Sequence, residues 1–445
     1  MRQGQRLWDE LHQLGYTFTW KRGILTYGGV IGLSLLLGVF FRLSGGYVAV
    51  LCVFCILMLP FFIRNLYRQK YEQQRFAEVN IYMEQFLYSF QKSGKILTTL
   101  EDVASLFSQG QMYSLLQQAI SFIRHTYGED QVSEKALDLI GEEYGVPQMT
   151  TIHRFALQVE KNGGAYSDAI LLLLDARRLW EDRVAEFWKE KRRRRVQVMM
   201  SVLVSLLLCS VFFFVADHVS LDISGYTVTQ VTTLCTLLLD LVIFYVADCR
   251  LAVGFAEEIY DDEALLRQYK KVRACARTGR KSLGVSIARK KVSRAMRIRF
   301  PQWLMEVSLL LQSENVQVAI MRSYEDAPLL LKPELKLLIE RLKKQPTELE
   351  PYLLFLQDYP LPEVQSSMKM LYSISEGTGG NAGNQIADII RRNERLLDQA
   401  QKMKNEDALA GMYALFLAPQ LTGGAKLLAD MMMFFYALVA NALVL

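Results

Sequence analysis

Four stretches of this chain are apolar on every face, with neither helical nor strand alternation. Residues 23–41 ("GILTYGGVIGLSLLLGVFF") carry no charge and stop at Arg42; residues 46–63 ("GYVAVLCVFCILMLPFFI") stop at Arg64. A second pair follows at 196–216 ("VQVMMSVLVSLLLCSVFFFVA") and 228–247 ("VTQVTTLCTLLLDLVIFYVA"). At about 1.5 Å of rise per residue, stretches near this length match a hydrocarbon core about 30 Å thick. The pattern predicts membrane spans. A second span follows the first almost at once, with no small-residue cleavage site between them, so 23–41 reads as a retained helix, not a secretory leader. The C-terminal region is less regular: "LAGMYALFLAP" (409–419) is short, and "LLADMMMFFYALVANALVL" (427–445) contains Asp430 and Asn441. Counted as two spans, these give six in all; five is the alternative.

Between the apolar blocks the pattern changes to amphipathic helix. "YMEQFLYSFQKSGKILTTLEDV" (82–103) sets Met83, Leu87 and Phe90 on one face, and "PQWLMEVSLLLQSENVQVAIMRSYEDA" (301–327) does the same with Trp303, Val307 and Leu310. Each leads through Ser-Gly-Lys or Ser-Glu-Asn into another amphipathic helix. Further on, "VEKNGGAYSDAI" (159–170) aligns with "SEGTGGNAGNQI" (375–386), placing Glu160, Gly163, Gly164 and Ile170 on Glu376, Gly379, Gly380 and Ile386. The spacing between the two elements is about the same in both halves. "LLLDLVIFYVA" (237–247) and "LLADMMMFFYALVA" (427–440) also share Leu-Leu-x-Asp ahead of aromatic residues. A duplicated helical domain with its membrane hairpin is the most economical description.

The glycines of "SEGTGGNAGNQ" (375–385) imitate a phosphate-binding loop. Such a loop needs a strand before it and a helix after it. The preceding "VQSSMKMLYSIS" puts Met368, Leu371, Tyr372 and Ile374 at helical spacing, and no Gly-Lys-Ser/Thr ending is present. Gly163, Gly164, Gly379 and Gly380 are therefore expected to be helix-hairpin turns, where glycine accepts positive φ and lets helices approach closely.

Composition agrees with a membrane protein: 51% of residues are hydrophobic, and the mean hydropathy is +0.13. The distribution of the 51 lysines and arginines sets the orientation. Arg64, Arg68, Lys70 and Arg75 follow the second span, "KEKRRRR" (189–195) precedes the third, and Arg250 follows the fourth, whereas "DHVSLDISGY" (217–226) has two aspartates and no basic residue. The segments 64–195 and 248–407 are thus expected in the cytoplasm. The expected fold is all-α: a polytopic membrane protein with two homologous helical-bundle cytoplasmic domains and about six transmembrane helices. Its boundaries are an N-terminal cytoplasmic segment (1–22), a membrane hairpin (23–63), the first cytoplasmic domain (64–195), a second hairpin (196–247), a basic juxtamembrane linker (248–300), the second cytoplasmic domain (301–407) and a C-terminal membrane region (408–445).

Chemistry-bearing residues are sparse. Four scattered histidines, His12, His125, His153 and His218, lack acidic or cysteine partners at useful spacing. Cys52 and Cys55 form a Cys-x-x-Cys inside a span, and none of the six cysteines belongs to a paired metal motif. No catalytic residue, metal ligand or cofactor site is expected. The stretch 267–299 is basic throughout and holds no acidic residue, but Tyr269 is its one aromatic, which argues against nucleic acid. Arg192, Arg193, Arg194, Arg195, Lys270, Lys271, Lys290 and Lys291 are candidates for anionic lipid or for an acidic partner, with plain solvation the alternative. Asp240 lies near the middle of its span, where a charge costs about 2.5–3.5 kcal/mol and must face protein. It either packs helices through a hydrogen bond or, with Asp430, meets a cationic partner; Asp430 has Lys426 at i−4 as its own candidate mate.

Two membrane hairpins, each tied to an all-helical domain whose Glu-x-x-Gly-Gly enters the last long helix, resemble the type II secretion F family. These are inner-membrane platform proteins of type II secretion and of type IV and Tad pilus machines. The likeness covers about residues 78–440. Two spans ahead of the first domain look like the Tad-type components, and both halves in one chain resemble a fusion of the two Tad platform subunits; "SEN" (313–315) departs from the family's usual glycine. The resemblance implies a non-enzymatic multi-pass protein of the bacterial cytoplasmic membrane and a homo-oligomer. Its implied partners are a hexameric secretion ATPase, a pilin or pseudopilin, and membrane lipids. It makes Glu160 and Glu376 candidate ATPase contacts, and Asp240 and Asp430 candidates for the N-terminal ammonium of a pilin. The rival classes are a secondary transporter with Asp240 as coupling carboxylate, disfavoured by the mass of extramembrane helix, and a membrane receptor or scaffold without a motor.

Overall fold

The computed structural model describes residues 20–126, 131–163, 166–219, 222–252, 254, 261–278, 283–311, 314–359, 361–377 and 382–442. Among them every regular element is a helix. In chain order these are α1 (Trp20–Phe40), α2 (Gly45–Ser93), α3 (Ile96–Ala104), α4 (Gln111–His125), α5 (Val132–Tyr144), α6 (Pro147–Asn162), α7 (Ser167–His218), α8 (Thr227–Leu251), α9 (Asp262–Thr278), α10 (Leu283–Leu310), α11 (Val316–Arg322), α12 (Lys332–Lys344), α13 (Glu350–Leu353), α14 (Pro362–Ser375), α15 (Ala382–Ala408) and α16 (Met412–Ala442).

The chain forms two compact units, one of residues 1–75, 186–255 and 408–445 and one of residues 76–185 and 256–407. The first holds helices long and apolar enough to cross a bilayer. There are five such helices among the described residues, not six. The difference lies at the C-terminus, where the two expected spans are one 31-residue helix, α16. Pro419 sits inside it without ending it. Large apolar side chains cover the outside of these helices, such as Leu25, Val39, Leu421 and Met432, each more than two-thirds exposed. So much contiguous apolar surface is what lipid requires and water penalises.

Within this membrane unit, α8 and α16 run antiparallel along most of their length. Tyr226 at the start of α8 packs against Tyr436 near the end of α16, 6.1 Å between rings, and Leu251 and Met412 share a cluster at the opposite ends. The later part of α7 lies against α16, where Gly423 approaches Ser205 so closely that a Cβ would stand 2.8 Å from the Ser205 backbone. At the loop end, Arg42 makes a bidentate pair with Asp217, both bonds 2.8 Å. Gln230 accepts from the Ser44 amide and donates to the Arg42 carbonyl, joining the α1–α2 turn to α8.

The second unit is a helical bundle containing both intervening segments. The sequence pattern places its core well: Met83, Phe90, Trp303, Val307, Met368 and Leu371 are fully buried. Where the charge run read as a linker ending at residue 300, the chain is helical through α9 and α10, and residue 300 falls inside α10. The reason is amphipathicity: Leu265, Tyr269, Val292, Met296 and Phe300 recur at helical spacing and enter the core, leaving Lys270, Lys271, Lys290 and Lys291 on the outer face, while Arg299 is buried. Most of the two segments expected as separate domains, residues 76–185 and 301–407, falls in this one unit. Arg154 of α6 joins them, reaching Glu306 of α10 at 2.7 Å and Asp326 at 2.8 Å.

Candidate functional site

The glycine turns can be followed at one of their four expected positions. Gly163 caps α6 with φ +67°, ψ −156°, a conformation that only glycine adopts easily. Gly164, Gly379 and Gly380 lie outside the described residues. In the second copy the positive φ falls on Gly377 (+65°), just after the C-cap Glu376. The glycine that only the second half possesses thus ends α14, two positions before the alignment would place the turn. The stretch ahead of it is helix, so no strand supports a phosphate loop there.

"SGK" and "SEN" solve the other turn in two ways. Gly94 takes φ +61° with the Tyr166 hydroxyl 2.8 Å from where a Cβ would sit. Asn315 instead keeps an extended backbone, and its side chain accepts the Val318 amide at 2.9 Å as an N-cap. The departure from glycine is a change of capping chemistry.

The two glutamates of the repeat are not equivalent. Glu160 is half-buried and held: it accepts the Ile96 amide at the start of α3 (2.9 Å) and the Ser133 hydroxyl (3.1 Å). Glu376 is exposed. The basic candidates also divide. Arg194 pairs with Glu190 at 2.9 Å. Arg195 reaches Asp248 at 2.5 Å, and Asn65 donates to the same carboxylate at 3.0 Å. That buried knot ties α2, α7 and α8 together, and makes Arg195 a structural residue. Arg193 lies 4.0 Å from Glu190 and is mostly exposed. Arg192, Lys270, Lys271, Lys290 and Lys291 are exposed.

In the membrane unit, Asp240 is 2% exposed and accepts the Thr422 hydroxyl at 2.7 Å. Asp430 is 1% exposed and takes the ammonium of Lys426, itself buried and 5.2 Å from the centre of the Phe213 ring. Because α8 and α16 are antiparallel, the residue facing Asp240 is Thr422, and Asp430 lies two helical turns away along α16, about 12 Å. The two carboxylates that the repeat aligned are therefore held apart. One is paired with a lysine, and among the described residues the other has no basic partner.

No local pattern signals the contacts around Asp240, because Thr422 and Ser205 reach it from other helices. Nor did it single out Glu306. Burial pushes its carboxyl up to about 7, with Asp326 adding to the effect and Arg154 opposing it. A cavity of about 490 Å³ in the bundle unit adjoins these residues, lined also by Arg177, Trp180, Arg183 and Arg299. Each of these arginines faces a carboxylate: Arg177 meets Glu84, Arg183 meets Asp398 and Arg299 meets Asp262. His153 is buried against the Tyr82 hydroxyl, 2.7 Å away, and burial lowers it to about 3, so it stays neutral. Among the described residues no cluster of histidine, cysteine and carboxylate side chains has a metal-binding arrangement. Comparison with protein-family models, curated proteins and solved structures finds no match to this chain.

Proposed function

We propose that the chain is a non-enzymatic platform of the bacterial cytoplasmic membrane, coupling a cytoplasmic secretion ATPase to the assembly of pilin or pseudopilin subunits. The observation that carries this is a recurring succession of helices. From the tail of α2, the order short helix α3, then α4, α5, α6 and the long α7 is matched from α10 by α11, α12, α13, α14 and the long α15. Each succession leads onward to an apolar helix, α7 itself in the first case and α16 in the second. This order supports two homologous helical segments, as the sequence repeat suggests. Five spans are consistent with both segments on one side of the membrane, and the basic residues flanking the spans support the cytoplasm as that side.

Within this function Glu376, exposed at its turn, is the better placed of the two glutamates for an ATPase, since Glu160 is occupied in capping α3. Asp240 is the better candidate for a pilin ammonium, since Lys426 already neutralises Asp430. The deciding experiment is in-cell crosslinking of the tagged full chain followed by identification of the crosslinked proteins. Recovery of a secretion-type ATPase and a single-span pilin-like protein is the expected result. Recovery of neither, with both expressed, would overturn the platform assignment.

A further inference from the structure

The buried interface of α7, α8 and α16 is polar along much of its length. Ser201, Ser205 and Cys209 succeed one another on α7, Thr229, Thr233, Thr236 and Asp240 on α8, and Thr422, Lys426 and Asp430 on α16. Oxygen atoms on this seam stand without hydrogen-bond partners: Ser205 Oγ, Thr229 Oγ1, Asp240 Oδ2 and Asp430 Oδ1. In a low-dielectric interior buried polar atoms without partners are destabilising. Their concentration on one seam asks for a compensating charge.

The compensation is most specific at Asp240. Its Oδ1 takes the Thr422 hydroxyl, its Oδ2 is free, and the Ser205 hydroxyl lies against the same carboxylate without a bond of good geometry. Among the described residues no lysine or arginine pairs with Asp240, in contrast to Asp430. Pro419 precedes Thr422 by three residues within α16. Having no N–H, it leaves the Leu415 carbonyl without its helical donor, and the neighbouring Phe416 carbonyl accepts instead from Ser201. The local chemistry is a carboxylate, two hydroxyls and the Pro419 carbonyl, 2.8 Å from Thr422 Oγ1, all oxygen. Hard monovalent cations prefer such ligands, and broken helices at mid-membrane supply them elsewhere.

We propose that Asp240, Ser205 and Thr422 bind a small monovalent cation of sodium's size between α7, α8 and α16. A cation there would occupy the carboxylate otherwise offered to a pilin ammonium, but its test needs no partner protein, so its failure and the failure of the platform assignment are distinguishable.

The full-length protein, purified in detergent at fixed pH, is unfolded thermally while sodium chloride replaces choline chloride at constant ionic strength. The expected result is a saturable rise in midpoint of about 2 °C or more. Asp240→Asn is expected to abolish that response, and Ser205→Ala and Thr422→Val to move the half-effect concentration up by about tenfold. These two neutral variants decide the matter if Asp240→Asn does not purify folded. Equal midpoints in the two salts would overturn the proposal, as would an unchanged sodium response in the variants. A midpoint that follows pH and ignores the cation would overturn it too, identifying Asp240 as a protonated carboxyl.

Discussion

Glu306 sits where burial outweighs its arginine. Its carboxyl is raised to about 7 from the ordinary 4.5, despite Arg154 at 2.7 Å. A raised carboxyl means that the folded protein binds the proton more tightly than the unfolded chain does. The contribution to stability is therefore complete below about pH 4.5 and is lost as pH rises through 7. Between pH 5 and 8 the bundle is expected to lose stability on the order of 3 kcal/mol from this group, and Glu306→Gln should flatten the profile, as thermal midpoints across that range would reveal. Lys426 offers the opposite case. It and Asp430 are both buried in the membrane unit, so Lys426→Met would leave an unpaired carboxylate at a cost of about 3–5 kcal/mol. Lys426→Met combined with Asp430→Leu should recover much of that. The comparison of midpoints for the single and double variants checks it; a harmless single variant would contradict the pairing.

Among the elements, α16 meets α7 through a glycine. A Cβ on Gly423 would stand 2.8 Å from Ser205 Cα, whereas one on Gly424 would meet nothing within 4 Å. Gly423→Ala is expected to separate the helices at a cost of about 1–3 kcal/mol. Gly424→Ala, gaining helix propensity without a clash, should be neutral or slightly stabilising. Thermal midpoints of the two variants form a matched pair, and equal effects would rule out the close approach. Nothing in the sequence distinguished these adjacent glycines, because the difference lies on a helix more than two hundred residues away. Helix identity was far more legible: α14 and the amphipathic faces of α2 and α10 follow directly from apolar spacing. The C-terminal region was not, since a proline and a Gly-Gly pair inside an apolar run normally mark a break. Here α16 continues through them, packed against α7 and α8, which hold the backbone in line.

At the scale of the whole molecule, the span count fixes which surfaces share a compartment. With the five long apolar helices α1, α2, α7, α8 and α16 taken as the spans, the proposed topology puts the loop 217–226 and the segments 76–185 and 256–407 on opposite sides of the membrane. In a background with the native cysteines replaced, a cysteine at Asp222 should react with an impermeant maleimide on intact cells, and one at Gln118 only after permeabilisation. Labelling of both on intact cells would refute the arrangement. The candidate site was only half legible at this scale. Asp240 and Asp430 stood out as charges within apolar runs, but the repeat that aligned them implied equivalence. Antiparallel packing of α8 and α16 gives them different neighbours, and a single lysine then separates their chemistry.

The sequence alone determined what depends on solvent and on local backbone preference: which stretches are apolar enough for lipid, which are amphipathic helices, and where lysine and arginine gather. These follow from transfer free energy and periodicity, properties a residue carries with it. Only the tertiary structure decided that Arg195 is locked onto Asp248, and that Asp240 faces Thr422 with one oxygen unpaired. The physical reason is the same in each case. Pairing and burial of a polar group are set by helices distant in the chain, and no local pattern records which helix will lie alongside.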